Sequence, residues 1–191
     1  MNCPRVAVIG LLAGLALLTT PVGAAAVIPF DVQVPLVLKA LTYDRNLKAR
    51  AGDQVRIAIV VPAKGSRTAA DELQASLSGG QARTVNGMPV AFKLIVVDAE
   101  DSVEQGLRDG GWAAAYIMPG FSRAELDKVR KACEQKRVLA VAAAVDDIEN
   151  GLAFGIGAQG SKPQIVINLK ASKACGSDFD LALLQLSKIV Q

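Results

Sequence analysis

Apolar runs alternate with amphipathic stretches along the middle of the chain. Four runs are long and apolar enough to form strands: Val55–Val61, Val90–Val97, Trp112–Met118 and Val138–Ala143. The first is continuous and rich in β-branched residues, which is typical of a strand buried on both faces of a parallel sheet. Strands that alternate with helices predict an α/β fold in which right-handed crossovers connect parallel strands.

Residues at helical spacing predict the first helix, upstream of these strands. Leu36–Leu47 places apolar residues on one face, after an extended lead-in at Phe30–Pro35 and before a stop at Gly52. Asp44 and Arg45 fall inside this helix. We expect them on its solvated face, and the alternative is that they form a handle for a partner.

Two later helices begin with capping signals. Thr68 with Asp71 predicts the start of the helix that follows the first strand. Ser122 with Glu125 matches a capping box, and the helix that it opens extends to about Gln135.

The last quarter of the chain carries a different pattern. Leu152–Ala158 and Gln164–Leu169 alternate apolar residues with a period of two, around a turn at Gln159–Pro163. This predicts an antiparallel hairpin that extends or edges the sheet. The first of its strands has a small face, formed by Ala153, Gly155 and Gly157. That face favours close packing of a helix, and a flat dimer surface is the alternative.

A polar break at Lys170–Ser177 follows the hairpin. Leu181, Leu184 and Ile189 then predict a closing helix with one apolar stripe. The complete pattern predicts a mostly parallel sheet of about six strands, flanked by helices, with a C-terminal antiparallel hairpin and a closing helix.

The first residues have the pattern of a secretory signal peptide. Arg5 precedes an uncharged apolar run that ends at Leu18, and small residues follow. We predict a signal peptide over residues 1–24, with cleavage as late as residue 26, and a single domain over residues 27–191. The run is short for a membrane span, so a retained anchor is the less favoured alternative. We expect the domain in the periplasm.

Composition narrows the classes of function. The formal net charge is +3 and aromatic residues make up 4% of the chain, which argues against a nucleic-acid binder. The chain has no histidine, which excludes Ser-His-Asp and Cys-His catalysis and imidazole metal ligands. We therefore predict no catalytic residues, no cofactor and no enzyme activity.

Two cysteines, Cys133 and Cys175, remain after the leader. In an oxidising compartment they are candidates for a disulfide, and the long loop that it closes would make it stabilising. Spacing alone does not place two Cα atoms within bridging range. Two separate thiols packed as small hydrophobic groups are the alternative.

The loops after the parallel strands meet at the carboxyl edge of the sheet, where open α/β sheets bind ligands. The candidate ligand or partner residues in these loops are Lys64, Ser66, Asp98, Asp101 and Ser122. Lys64 and Ser66 precede a helix whose N-terminus suits an anion. The spacing of a Walker phosphate loop is absent, however.

An acidic group follows the second strand and consists of Asp98, Glu100, Asp101 and Glu104. Clustered carboxylates suit a hard cation. Acids in the first turn of a helix also complement its dipole, and the spacing of a calcium loop is absent. We therefore favour a structural role and predict no metal site. A hydrolase or metal enzyme built on these acids is the least favoured hypothesis.

Several segments together carry a family resemblance. They are Leu38–Leu47, Ile57–Val61, Gly151–Phe154, Ile165–Ala171, Asp178-Phe179 and Leu183–Val190. In these segments and in the order of its elements, the chain resembles the YfiR family of exported bacterial proteins. The most specific part is Asn-Leu-x-Ala from Asn168, followed by a Leu-Leu-x-Leu-x-x-Ile-Val pattern that ends at Val190.

The resemblance implies a periplasmic, non-enzymatic regulator with an α/β fold, often dimeric. The best-known type restrains an inner-membrane diguanylate cyclase by binding the periplasmic domain of that enzyme. We therefore expect an interaction protein in cyclic-di-GMP signalling, whose partner is the periplasmic domain of an inner-membrane signalling protein. The sequence leaves the oligomeric state open, with a homodimer as one alternative. The alternative is a periplasmic small-ligand binding protein that uses the carboxyl-edge loops.

Overall fold

The computed structural model describes residues 28–64, 67–78, 83–97, 102–160 and 162–190. The helices are α1 (Phe30–Leu41), α2 (Leu47–Ala51), α3 (Arg67–Ser78), α4 (Ser102–Gly106), α5 (Arg123–Lys136), α6 (Leu169–Ala174) and α7 (Leu181–Gln185). The strands are β1 (Val55–Pro62), β2 (Thr84–Val85), β3 (Met88–Val97), β4 (Trp112–Ile117), β5 (Leu139–Ala142), β6 (Phe154–Gln159), β7 (Lys162–Asn168) and β8 (Lys188–Val190). A 3-10 helix spans Val145–Ile148. No helix in these ranges combines the length and the apolar character needed to cross a bilayer.

Within the described residues, the strands form one eight-stranded sheet in the order β2-β3-β1-β4-β5-β6-β7-β8. Strands β3, β1, β4, β5 and β6 run parallel, β6 and β7 form an antiparallel hairpin, and β8 pairs parallel with β7. The predicted α/β fold with its C-terminal hairpin is confirmed. The sheet exceeds the expected six strands because two short strands, β2 and β8, join its ends.

Helices cover both faces of the sheet. Alternate residues of a strand point to opposite faces, and α1 and α3 cover the face that carries Ile57 and Ile59. On the other face, a Cβ on Gly106 of α4 would lie 2.6 Å from Cγ2 of Ile95, which is in register with Val60. Strand β1 is buried almost throughout, as its continuous apolar run predicts.

The first helix differs from the prediction. The expected extended lead-in is helical, because α1 begins at Phe30 and contains Pro35. Proline removes one helical hydrogen bond, and burial of apolar side chains such as Val37 against the sheet offsets that loss. The helix ends at Leu41, so Tyr43–Asn46 forms a turn and not the middle of a helix.

The C-terminal segment also differs. The expected polar break contains α6, which Asn168 caps by accepting the Ala171 N–H (2.9 Å). The closing helix is the single short element α7, capped by Asp180. Ile189, expected on its apolar stripe, belongs to β8 instead. Three apolar residues are too few to distinguish a helical period from a strand that follows a short helix.

The small face of β6 packs against the 3-10 helix, as the close-packing prediction requires. A Cβ on Gly155 would lie 2.9 Å from Ile148 Cδ1, and one on Gly157 would lie 2.9 Å from Val145 Cγ2. Glycine is needed at both positions because the 3-10 helix approaches the strand too closely for a side chain.

Candidate functional site

The switch point of the sheet lies between β1 and β4, where successive strands continue on opposite sides. Two of the predicted loop residues flank it: Lys64 is exposed just after β1, and Ser122 is exposed just before α5. The charge of Lys64 acts on Glu125, so the two loops approach each other. Ser66, Asp98 and Asp101 lie outside the described residues.

Ser122 and Glu125 form the predicted capping box. Ser122 Oγ accepts the Glu125 N–H (3.4 Å), and Glu125 Oε2 accepts the Ser122 N–H (2.7 Å). The hydrogen bonds from Ser122 lower the pKa of Glu125, and the nearby charge of Lys64 adds to that effect. Both side chains are thus engaged in holding the first turn of α5.

Helix α1 closes the sheet face at this same edge. Gln33 on α1 is 1% exposed, and its Nε2 donates to the carbonyl oxygens of Ile28 (2.7 Å) and Ala143 (3.2 Å). Its Oε1 accepts the Tyr116 hydroxyl (2.7 Å). Burial raises the pKa of Tyr116, so this hydroxyl stays protonated and donates. The network ties α1 to the ends of β4 and β5.

A buried ion pair organises the opposite, amino edge. The Asp44 side chain is fully buried, and its Oδ2 accepts from Arg50 Nη2 at 2.5 Å. Its Oδ1 accepts the backbone N–H groups of Asn46 and Asp178, both at 3.0 Å. Arg50 Nη1 also donates to Ala113 O (2.8 Å) at the start of β4. The expectation that Asp44 lies on a solvated face is therefore wrong, because this carboxylate accepts three hydrogen bonds inside the protein.

Backbone hydrogen bonds extend this link between distant parts of the chain. Arg45 N–H donates to Asp178 O and Asp180 N–H donates to Tyr43 O, both at 2.9 Å. Arg45 itself is exposed, and its guanidinium pairs with the carboxylates of Asp180 (2.9 Å) and Asp178 (3.6 Å). Two segments that carry the family resemblance, one near each end of the domain, thus meet at the amino edge.

The two predicted disulfide partners lie close together as free, buried thiols. Burial raises the pKa of Cys133 well above its usual value, and nearby Cys175 raises it further. Burial raises the pKa of Cys175 to about 11, against a hydrogen bond with the Ala140 backbone that lowers it. The raised pKa values favour the protonated form of both thiols at neutral pH. The bond between them stays a prediction.

An apolar surface lies at the C-terminal end of the sheet. Large hydrophobic side chains that are exposed in the described part of the chain are Val32, Leu181, Leu186 and Ile189. The last three are 61%, 74% and 40% exposed and belong to α7, the residue after it, and β8. We call these three residues, with the outer side of β8, the apolar edge. Strand β8 ends the sheet, so its outer backbone groups have no partner strand in the described ranges.

In the ranges that the structure covers, no group of three or more cysteine, aspartate or glutamate side chains is arranged to hold a metal ion. Asp98, Glu100 and Asp101, the acids considered for that role, lie outside those ranges. Glu104, the fourth member of the group, is exposed in α4.

The sequence matches the YfiR/HmsC-like family over residues 31–188. The chain belongs to this family. Membership confirms the resemblance seen in the sequence, and the family is one of regulatory proteins of the periplasm. No curated protein sequence matches the chain.

Solved structures share the fold at low identity. A ligand-free, open substrate-binding protein with adhesive properties from Clostridium difficile is 18% identical, with a TM-score of 0.54 over 76% of this chain and 57% of that one. An ABC domain in complex with L-Trp from Streptococcus pneumonia is 12% identical, with a TM-score of 0.53 over 79% and 62%. A conserved domain protein from Vibrio cholerae is 13% identical, with a TM-score of 0.59 over 85% and 60%. The chain therefore spans about 60% of the length of the structures that it matches.

Sequence reasoning missed two parts of these sites. The first is the Asp44–Arg50 pair, for which the available signal is Asp44 two residues before Asn46, a spacing typical of an Asx turn. The second is Gln33, whose signal is a single amide between apolar residues in a segment rich in valine. Both signals are local, whereas the residues that complete the two networks lie far along the chain, namely Asp178, Ala143 and Tyr116.

Proposed function

We propose that the protein controls a membrane-bound signalling protein, such as a diguanylate cyclase, by binding the periplasmic domain of that partner. The observation that carries the proposal is the family match over residues 31–188. The sequence adds support, because the lack of histidine removes the commonest general base and a frequent metal ligand.

The surface that we propose for this partner is the apolar edge. Exposed apolar side chains that cluster on a surface mark interaction sites more often than scattered ones do. An edge strand adds a row of backbone donors and acceptors that can pair with an extended segment of another protein. Leu186 is 74% exposed and lies two residues before β8, so its burial by a partner would remove the most apolar surface from water.

Two lysine substitutions test whether the partner binds at the apolar edge or elsewhere on the molecule. Leu186→Lys places a charge in the apolar edge, whereas Val32→Lys places one at an exposed apolar position of α1. We expect the wild type and Val32→Lys to co-purify with the signalling protein encoded beside this chain and to restore cyclic-di-GMP levels in a deletion strain. Leu186→Lys should do neither.

Two results would count against the proposal in different ways. If the wild type binds no such partner and deletion leaves cyclic-di-GMP unchanged, the function is wrong. If both variants bind like the wild type, the function stands and the apolar edge is not the interface.

A second function, binding of a small periplasmic ligand by the carboxyl-edge loops, is favoured by one observation. The fold is shared with a substrate-binding protein and with a domain that was solved with L-Trp. A thermal-shift screen with amino acids, peptides and anions tests this function, because a ligand at a hundred times its Kd adds about 2.7 kcal/mol to the free energy of unfolding. If no compound in the screen raises the melting temperature, this second function is wrong.

A further inference from the structure

A basic cavity lies at the amino edge, on the side of the sheet opposite to the carboxyl-edge loops. Its volume is about 360 Å³, and residues that line it are Asn46, Arg137, Lys173, Gly176, Ser177 and Asp178. Arg137 is the C-cap residue of α5, two residues before β5, and Gly176 and Ser177 follow α6. The cavity is thus formed where two helices end beside the start of the sheet.

Two cations at this cavity have no acidic partner. Neither Arg137 nor Lys173 takes part in an ion pair within 4.0 Å among the described residues. The carboxylate that lines the cavity, Asp178, already faces Arg45 at 3.6 Å. The lining therefore carries two cations, Arg137 and Lys173, and one carboxylate, Asp178, so its formal charge is +1.

Buried donors without acceptors lie at the same place. Ser177 is 3% exposed, and its hydroxyl has no hydrogen-bond partner in the part of the chain that the structure describes. The Nε of Arg50 is also buried and without a partner there. Arg50 passes directly beside the cavity wall, since a Cβ on Gly176 would lie 3.3 Å from Arg50 Cδ. Buried donors normally have a hydrogen-bond acceptor, and the described residues do not supply one for the Ser177 hydroxyl or for Arg50 Nε.

We propose that this cavity binds a tetrahedral oxyanion, either inorganic phosphate or the phosphate group of a monoester. Such a group offers only acceptors, which match the three kinds of donor in the lining: a guanidinium, an ammonium group and a hydroxyl. Arg137 and Lys173 supply the charge, and Ser177 supplies a neutral donor. The proposal concerns a small ligand at the amino edge and is independent of the partner proposed for the apolar edge.

Calorimetric titration of the full domain with inorganic phosphate, at constant ionic strength held with NaCl, tests the site. We expect saturable binding by the wild type. Arg137→Gln with Lys173→Gln should weaken it by about tenfold or more, because a hydrogen bond to a charged group contributes at least that factor. Lys131→Gln with Lys170→Gln removes the same charge from exposed positions on α5 and α6 outside the cavity lining, and should change Kd by less than about twofold, as screened surface charges do.

Two further measurements locate the ligand and its source. In NMR spectra, phosphate should shift the amide signals of Gly176 and Ser177, and Ser177→Ala should weaken binding without unfolding the protein. Tighter binding of glycerol 3-phosphate than of phosphate would identify a monoester, and equal binding would identify the free ion. Absence of saturable binding by the wild type, or equal weakening by the two double variants, would overturn the proposal.

Discussion

The two edges of the sheet use their polar side chains differently. At the carboxyl edge, Ser122, Glu125 and Gln33 hold helices in place through hydrogen bonds. At the amino edge, Asp44 and Arg50 join the two ends of the domain, and two further cations face a cavity without partners. Open α/β sheets bind ligands at the carboxyl edge. In the described part of this protein, two cations without an ion pair also line a cavity at the other edge, so topology alone does not locate a binding surface.

The largest expected loss of unfolding free energy comes from a substitution at the amino edge. Asp44→Ala leaves the Arg50 charge buried and two backbone N–H groups without their acceptor, so it should lower the free energy of unfolding by about 3–5 kcal/mol. Urea denaturation measures this loss. Arg45→Ala, which removes an exposed cation paired with Asp178 and Asp180, should cost much less stability, because solvent screens exposed ion pairs. If the two variants lose similar stability, the buried pair does not organise this edge.

A disulfide between Cys133 and Cys175 would add a covalent link beside the same edge. Since its loop is long, oxidation should raise the free energy of unfolding by about 2–4 kcal/mol, and reductant should lower the melting temperature. Thiol titration of unfolded, unreduced protein checks the bond directly. Two free sulfhydryls in protein isolated from the periplasm would end this prediction.

At the carboxyl edge, removal of one hydrogen bond from the Gln33 network should cost less unfolding free energy. Tyr116→Phe removes the donor to Gln33 Oε1 and leaves a buried acceptor without a partner, which should cost about 1–3 kcal/mol of unfolding free energy. Tyr43→Phe is the matched control, because the Tyr43 hydroxyl has no hydrogen bond to another described residue and its removal should be nearly neutral. Equal loss in both variants would show that Gln33 does not hold α1 to the sheet.

The smallest effect concerns the pKa of Glu125. Its pKa is lowered mainly by the hydrogen bonds from Ser122, so Ser122→Ala should raise it towards its ordinary value. A lowered pKa in the folded state stabilises the protein above the ordinary pKa of glutamate, and this contribution is lost as the pH falls through the folded value. NMR titration of the Glu125 side chain measures the change. An unchanged pKa in the variant would assign the shift to the backbone N–H of residue 122, whose hydrogen bond to Glu125 is retained by alanine.

Short-range patterns predicted much of the fold. The buried strand β1, the capping box at Ser122 and the glycine face of β6 all depend on residues close in sequence, and the structure agrees with each. Strand β3, expected to be buried as well, is mostly half-buried. The errors occur where contacts between residues far apart in the sequence determine the local structure. The chain around Asp44 forms a turn since Asp178 and Arg50 bind the same carboxylate, and Ile189 forms a strand since β7 offers an unpaired edge. No local period reports either contact.

The candidate sites were less predictable for a related physical reason. Lys64 and Ser122 could be placed at the carboxyl edge from strand order alone. The apolar edge and the amino-edge cavity instead depend on which side chains remain exposed or unpaired after folding, as for Leu186, Arg137 and Lys173. Sequence shows which groups are present, whereas packing determines which of them are left without a partner.

Titration calorimetry of the purified domain with the isolated periplasmic domain of the signalling protein encoded beside it tests the central claim most directly. We expect saturable binding by the wild type and by Val32→Lys, and a large loss of affinity for Leu186→Lys. Absence of binding heat for the wild type, together with absence of a complex in analytical ultracentrifugation, would contradict the proposal that this family member acts by binding that domain.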